Sequence, residues 1–409
     1  MTIAPASVAQ ELLDEAGLIR TAQALIRIPS VIDHSRPDGN ELAAAEFVAA
    51  LLDRWGIEYV RRDVAPGRPN IVADLPGRRP GPILVLEGHT DVVTAGDPAA
   101  WTYDPFSAEI VDGHLYGRGS VDMKGGLAAM LHAARAIQLA GCDFAGTLRL
   151  AVLADEEGLM LGAKAFVADG WLEGVNAAIT CEPESDAICI AQKGAIRLRV
   201  RLVGRMAHGC MPAEAINPVT ALGEVIVALR RLEQEIQSEH NTHPLLGRFH
   251  LTPTVALAGA REQGNVIPGA ADLFIDIRTT PQHDHTAIHT RVRDAIASAV
   301  ATVPGAQAVV ETLDDRPGTE TDPEDPAVQA VLSAHRRATG APGILGGVPG
   351  TTDLTIFWAA TRLPVVAYGP GTVTLAHQVD EHVAVADLIR YGRTYIDAVL
   401  EYFAMRERE

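Results

Sequence analysis

Four cysteines in 409 residues, with no CxxC pair and no framework spacing, provide neither a thiolate metal site nor a disulfide scaffold. Cys142, Cys181, Cys189 and Cys210 are therefore expected as reduced thiols of a cytoplasmic protein. No apolar run reaches the roughly 20 residues of a membrane span. The N-terminal MTIAPASVAQELLDEAGLIR has no basic stretch followed by an apolar one, so no secretory signal is expected. Positive charge is scarce: 34 Lys and Arg against 52 Asp and Glu give a formal net charge of −18. Such a charge opposes nucleic acid and anionic membrane as partners. A small anion is still compatible, provided an arginine is placed locally to receive it. The chain contains no internal repeat and no low-complexity tract.

What is present is an ordinary soluble composition, 47% hydrophobic and 21% charged, with length for two or three domains. The stretch 84–93, LVLEGHTDVV, reads as a buried parallel strand that ends abruptly in polar residues. In an open α/β sheet, ligands sit beyond the carboxyl ends of the strands. His89 and Asp91 stand two apart, so on extended backbone they share a face. That spacing suits a carboxylate that receives the second N–H of a metal-bound imidazole. Alone, the pair reads first as a turn with a satisfied histidine.

In chain order, helices are expected over 7–28 and 40–55, the second capped by Asn40 and stopped by Gly56. Strands follow near 70–75 and 82–87. The glycine-rich 116–126, YGRGSVDMKGG, places Asp122 just before a helix over 124–139, whose stripe is Leu127, Met130, Leu131, Ala134 and Ile137. Buried strands over 147–153 and 177–180 end in ADEEG and CEPE, so apolar strands repeatedly terminate in acids. From Gly194 the character changes. Strand, helix, strand, strand, helix and strand over 194–313 follow the ferredoxin-like order, and 314–326 reads as a linker. Two helices, a glycine-rich turn GGVPGTTD, a buried strand over 363–368, LAHQVDEHV and a terminal helix to about 403 resume the first pattern. The expected architecture is α/β. A catalytic domain of 1–193 and 314–409, with a mostly parallel sheet flanked by helices, is interrupted by an α+β domain of 194–313.

The candidate residues are His89, Asp91, Asp122, Glu156, Glu157, Glu182 and His377. Two histidines and several carboxylates suit zinc, cobalt or manganese, and the lack of a thiolate cluster disfavours structural zinc. Two metals about 3.5–4 Å apart commonly share a bridging carboxylate. One shared Asp, with one His and one Glu per metal, would use five ligands. Neighbours on a turning backbone point apart, so one of Glu156 and Glu157 can bind metal while the other acts as general base.

The motifs GHTDVV, GRGSVDMKGG, ADEEG, CEPE, AHGCMP and AHQVDEH together resemble, in order and spacing, the superfamily of two-metal aminoacylases, carboxypeptidase G, acetylornithine deacetylases and succinyl-diaminopimelate desuccinylases. The resemblance covers nearly the whole chain and includes the inserted domain, a dimerisation or lid domain in that family. It implies Asp122 as the bridge, His89 and Glu182 on one metal, and Glu157 and His377 on the other. It also implies Asp91 behind His89, Glu156 as general base, and a cis peptide between Asp122 and Met123. His208 resembles a histidine that reaches the partner subunit's site to stabilise an oxyanion. Arg278 and Asn265 resemble residues that hold a substrate carboxylate or carbonyl, and Gly350 and Thr351 fall in a substrate-contacting loop.

Each residue also has a plainer reading: Asp122 as a helix cap, Glu156 and Glu157 as a solvated pair, Arg278 paired with Asp276 or Asp272. His208 and His377 read singly as surface histidines. The expected function is two-metal hydrolysis, with zinc foremost, of an amide bond in a small anionic N-acyl amino acid or dipeptide-like substrate by a cytoplasmic homodimer. Carboxypeptidase- or dipeptidase-like cleavage, hydrolytic deamination and a non-catalytic metal-retaining binding protein are the alternatives.

Overall fold

Apolar segments such as ILVL (83–86), LRLAVL (148–153) and PVVAY (364–368) form the middle of a sheet covered on both faces, as parallel strands require. The computed structural model describes residues 6–141 and 144–408. Cys142 lies outside them, and Cys181, Cys189 and Cys210 are free thiols. The chain divides into two compact units. The first takes the described residues up to Ile190, Glu320–Val348, and those from Thr352 onward; the second is Ala191–Thr319 with Pro349–Thr351.

In the first unit the strand order runs Val60–Ala65, Arg68–Pro76, Ala145–Leu153, Arg79–His89, Val175–Pro183, Val365–Gly369 and Ala187–Gln192. The four strands from Ala145–Leu153 to Val365–Gly369 are mutually parallel, and antiparallel strands flank them. Register pairs His89 with Leu153 and Glu87 with Thr180, so the polar endings of three strands meet at one edge of the sheet. Helix Lys124–Ala140 buries Leu127, Met130, Leu131, Ala134 and Ile137, and ends at left-handed Gly141. Its first turn packs so tightly on Val175–Pro183 that a Cβ on Gly126 would lie 2.1 Å from the carbonyl oxygen of Cys181. Gly126→Ala is expected to lower stability by about 1–3 kcal/mol, because backbone on both sides leaves no side chain to yield. A chemical unfolding curve with an unshifted midpoint would contradict this.

Several local expectations change. The first helical stretch is two helices, Ala6–Glu11 and Glu15–Ile26, because Asp14 turns the chain and accepts the N–H of Gly17 at 2.8 Å. The next helix begins at Leu42, whose N–H is received by the Asn40 side chain at 3.1 Å. Part of the expected glycine-rich turn is a strand, Ile344–Val348, pairing with Ala187–Gln192. Glycine permits this, since a Cβ on Gly346 would lie 3.0 Å from the Cys189 sulfur.

The second unit is a four-stranded antiparallel sheet in the order His250–Ala258, Ala270–Thr279, Gly194–Val203 and Gln307–Arg316. Helices Pro218–Glu239 and His285–Val300 share its apolar core, in which Ile196, Leu198, Val200 and Leu202 meet Val225, Leu229, Val292 and Ile296. Asn217 and Asp284 cap these helices through their side chains. The connection order and strand order together are ferredoxin-like. The last strand runs through Asp314, Asp315 and Arg316 rather than ending at 313. Cross-strand charge explains the extension, since Asp314 faces Arg197 in register and stands 3.7 Å from its guanidinium. Among the described residues no helix is long and apolar enough to cross a membrane.

Candidate metal centre and active site

Apart from Asp122, the carboxylates and imidazoles of the centre are carried at or just beyond the carboxyl edge of the first unit's sheet. His89 closes one parallel strand, Glu156 and Glu157 follow the end of the next, and Glu182 lies at the end of a third. His377 comes from the loop after Val365–Gly369, in left-handed conformation at φ 63°. Asp122 sits at the mouth of helix Lys124–Ala140 and is joined to Met123 by the expected cis peptide.

The side chains converge as two groups that share Asp122. His89 Nε2 is 3.2 Å from Asp122 Oδ1 and 3.4 Å from Glu182 Oε1. His377 Nε2 is 3.2 Å from Asp122 Oδ2 and 2.7 Å from Glu157 Oε1. Each oxygen of Asp122 thus faces a different histidine, the disposition a bridging carboxylate needs. Asp122 caps no helix; its side chain is committed to the two imidazoles.

The electrostatics favour a cation. Burial pushes Glu182 up to about 8, and the charge on Asp122 adds to this. Hydrogen bonds to Asp122 and Glu157 push His377 up to about 10. Burial opposes ionisation of Asp122, but bonds from His377 and His89 outweigh it and hold the carboxyl low. Carboxylates crowded out of water demand positive charge between them. One nitrogen donor and two carboxylates within 4.8 Å in each group, with Asp122 counted in both, fit two divalent cations, with His89, Asp122 and Glu182 able to hold one and Asp122, Glu157 and His377 the other.

Glu156 belongs to neither group. Burial first, then the charges of Glu182, Glu157 and Asp353, lift its pKa well above the ordinary carboxylate range. Asp91 does more than the sequence suggests. The Asp91 backbone carbonyl is 3.0 Å from His89 Nδ1, and its carboxylate is 3.4 Å from the same nitrogen. The two carboxylate oxygens also accept the backbone N–H groups of Glu156 at 3.1 Å and Glu157 at 2.9 Å. One buried side chain therefore supports the histidine and orients the acidic pair.

Sequence reasoning passed over Glu381 and Arg118. The glycine-rich loop 117–122 wraps around the buried Glu381 carboxylate, whose Oε1 accepts the N–H groups of Gly119 at 3.0 Å, Val121 at 2.8 Å and Asp122 at 3.1 Å. The Arg118 guanidinium pairs with Glu381 Oε2 and donates to the His377 carbonyl at 3.3 Å. The available signal was the glycine-rich loop itself, which has the composition of an anion-binding nest.

The remaining candidates lie in the second unit. His208 is exposed on a short strand that pairs it with Val266, and the N–H of neighbouring Gly209 bonds to the Asn265 carbonyl at 2.7 Å, so His208 and Asn265 are neighbours. Arg278 makes a two-point pair with Asp276, at 2.6 and 3.2 Å. Gly350 and Thr351 are grouped with this unit, and Thr351 receives a bond from Arg316 at 3.3 Å.

A succinyl-diaminopimelate desuccinylase of Methylorubrum extorquens is 34% identical over 399 residues, covering 93% of this chain and 98% of its own. A probable succinyl-diaminopimelate desuccinylase of Staphylococcus epidermidis is 28% identical over 411 residues, covering 95% and 98%. Among solved structures, an M20 family metallo-carboxypeptidase from Sulfolobus solfataricus superposes with a TM-score of 0.78 at 16% identity, over 95% of this chain and 99% of that one. A dinuclear metal-binding M20 peptidase from Bacillus subtilis superposes with a TM-score of 0.72 at 18% identity, over 96% and 98%. The sequence matches peptidase family M20/M25/M40 across residues 85–401. With that match, a relative above 30% identity and the shared fold, the chain belongs to peptidase family M20/M25/M40 and is a hydrolase of amide bonds.

Proposed function

We propose that the protein removes the acyl group from a small anionic N-acyl amino acid, of the acetyl or succinyl kind, at a centre of two divalent ions. The observation that carries this reading is the sharing of Asp122 between two histidine-and-glutamate groups, with an uncommitted Glu156 beside them. The desuccinylase relatives support the choice of an N-acyl amino acid. Zinc is the first choice of ion, with cobalt or manganese able to substitute in the same donors. When bound, the ions polarise the amide carbonyl and bring the pKa of a shared water toward about 7.

The residues act around that chemistry. Asp91 fixes the turn bearing Glu156, so that its carboxylate takes the proton from the attacking water and delivers it to the leaving nitrogen. Its raised proton affinity suits a group that must hold the proton between those events. In this reading Arg278, released from Asp276, and Asn265 receive the substrate's carboxylate and carbonyl, and Gly350 and Thr351 also contact the substrate. Lys193 supports an anion-binding role there. Burial and the charge of Arg278 both lower its pKa, which places two cationic side chains near one another.

The working unit in this reading is a cytoplasmic homodimer joined through the second unit. Its edge strand His250–Ala258 exposes Val255 at 44% and Leu257 at 57%, an apolar edge that calls for a partner. His208 then serves the neighbouring subunit's centre, stabilising the oxyanion. Mixing a His208→Ala chain with a chain dead at Glu156 should restore activity to the hybrid, since one site receives every intact group. No recovery in any mixing ratio removes the cross-subunit role.

A panel of N-acetyl and N-succinyl amino acids and free dipeptides, assayed with added Zn²⁺ or Co²⁺, tests the reading as a whole. Turnover of the acyl amino acids is expected. Preference for dipeptides would move the assignment to a dipeptidase, and metal uptake without any turnover would leave a binding protein.

A further inference from the structure

We propose that Glu381, acting with Arg118, is a positioning residue that holds Asp122 and His377 in mutual register; the proposal rests on the two-metal reading above. Asp122 and His377 come from separate loops, and neither loop belongs to a strand or helix that would fix its side chain. The Glu381 side chain joins them. Its carboxylate accepts three N–H groups from loop 119–122, the last being the amide of Asp122 itself. Its own backbone carbonyl receives the N–H of Gly117, closing the same loop from the other end. Arg118 then spans from the Glu381 carboxylate to the carbonyl of His377. Both side chains are almost fully buried, so water does not compete for these bonds.

The local sequence is built for this arrangement. Gly119 has φ 87°, and a Cβ there would lie 2.7 Å from Val92, so only glycine lets the loop close over the carboxylate. A fold staple would need one or two of these bonds. Convergence of a three-amide nest and a guanidinium on one carboxylate, with each arm ending on a different metal-binding residue, points to positioning instead. Outer partners of this kind orient ligands, and their loss weakens metal binding by about 10–100-fold. Glutamine at 381 keeps an acceptor for the amides but turns its NH₂ toward Arg118. Lysine at 118 keeps the charge but cannot reach both Glu381 and the His377 carbonyl.

The test titrates metal-free wild type, Glu381→Gln and Arg118→Lys with Co²⁺, reading the visible absorption of the bound ion, after circular dichroism has established that each is folded. Wild type should take up two equivalents. Glu381→Gln should bind about 10–100-fold more weakly with a changed cobalt spectrum, and Arg118→Lys should weaken chiefly one of the two equivalents. Folded variants that match wild type in cobalt affinity and spectrum, even with a lowered melting temperature, overturn the proposal and leave Glu381 a staple. If Glu381→Gln does not fold, Arg118→Lys decides by the same criterion. Wild type that takes up no cobalt would sink the two-metal reading and this proposal together, whereas two equivalents bound with the same affinity and spectrum in wild type and variants sink only this proposal.

Discussion

Glu156→Gln is expected to retain both metal ions and to lose about 10²–10⁴-fold in turnover, the range spanned by removal of a general base. The amide has the shape of the carboxylate and still allows the backbone N–H of residue 156 to bond to Asp91, so the loop and Glu157 should stay in place. Only the ability to accept and return a proton is removed. Because Glu156 is outside both ligand groups, metal content should not change. Since the proton is transferred in the transition state and not on binding, the loss should fall on kcat while KM moves little. Metal analysis and steady-state kinetics on one preparation check both halves. A fully loaded variant with near-normal kcat removes Glu156 from the mechanism. A variant that has lost metal instead shows Glu156 to be a ligand.

How far the chain is legible follows from the range of the interactions involved. The parallel strands read well because their burial is written locally, as apolar runs ending in GH, ADEE and CEPE. The second unit reads well because alternating Ile196, Leu198, Val200 and Leu202 face a helical core while Arg197, Arg199 and Arg201 face away. Strand Ala187–Gln192 escapes notice because it is short and the tight turn before it is made by left-handed Ser185 and Asp186, without a glycine to signal a reversal. The extension through Asp314 and Arg316 depends on Arg197 across the sheet, which the local composition does not reveal. Arg278 could be read either as a substrate ligand or as a partner of Asp276, and only coordinates show the pairing that is made. Glu381 is the instructive omission. Its identity as an acid is plain, but its nest lies 259 to 262 residues away in sequence, so nothing near it distinguishes it from Asp380, which instead pins Thr102.

Asp122→Asn should have the largest effect of any single change, because it alone belongs to both groups. Replacing His377 or Glu157 leaves His89, Asp122 and Glu182 intact, and one ion should survive. Asparagine at 122 keeps the volume but replaces one of the two oxygens with an NH₂ that cannot bind a cation, and it removes the shared negative charge. His89 and His377, which face opposite oxygens of Asp122, would then meet an oxygen on one side only. Both ions should weaken, by more than the about 10–100-fold that follows from disturbing an outer partner, and activity should fall to the uncatalysed background. Elemental analysis after dialysis distinguishes the outcomes: near-zero occupancy is expected for Asp122→Asn and one equivalent for His377→Ala. One tightly held ion in Asp122→Asn would mean that the carboxylate serves a single metal. The two groups would then be independent sites, with no bridge through which a water could be shared.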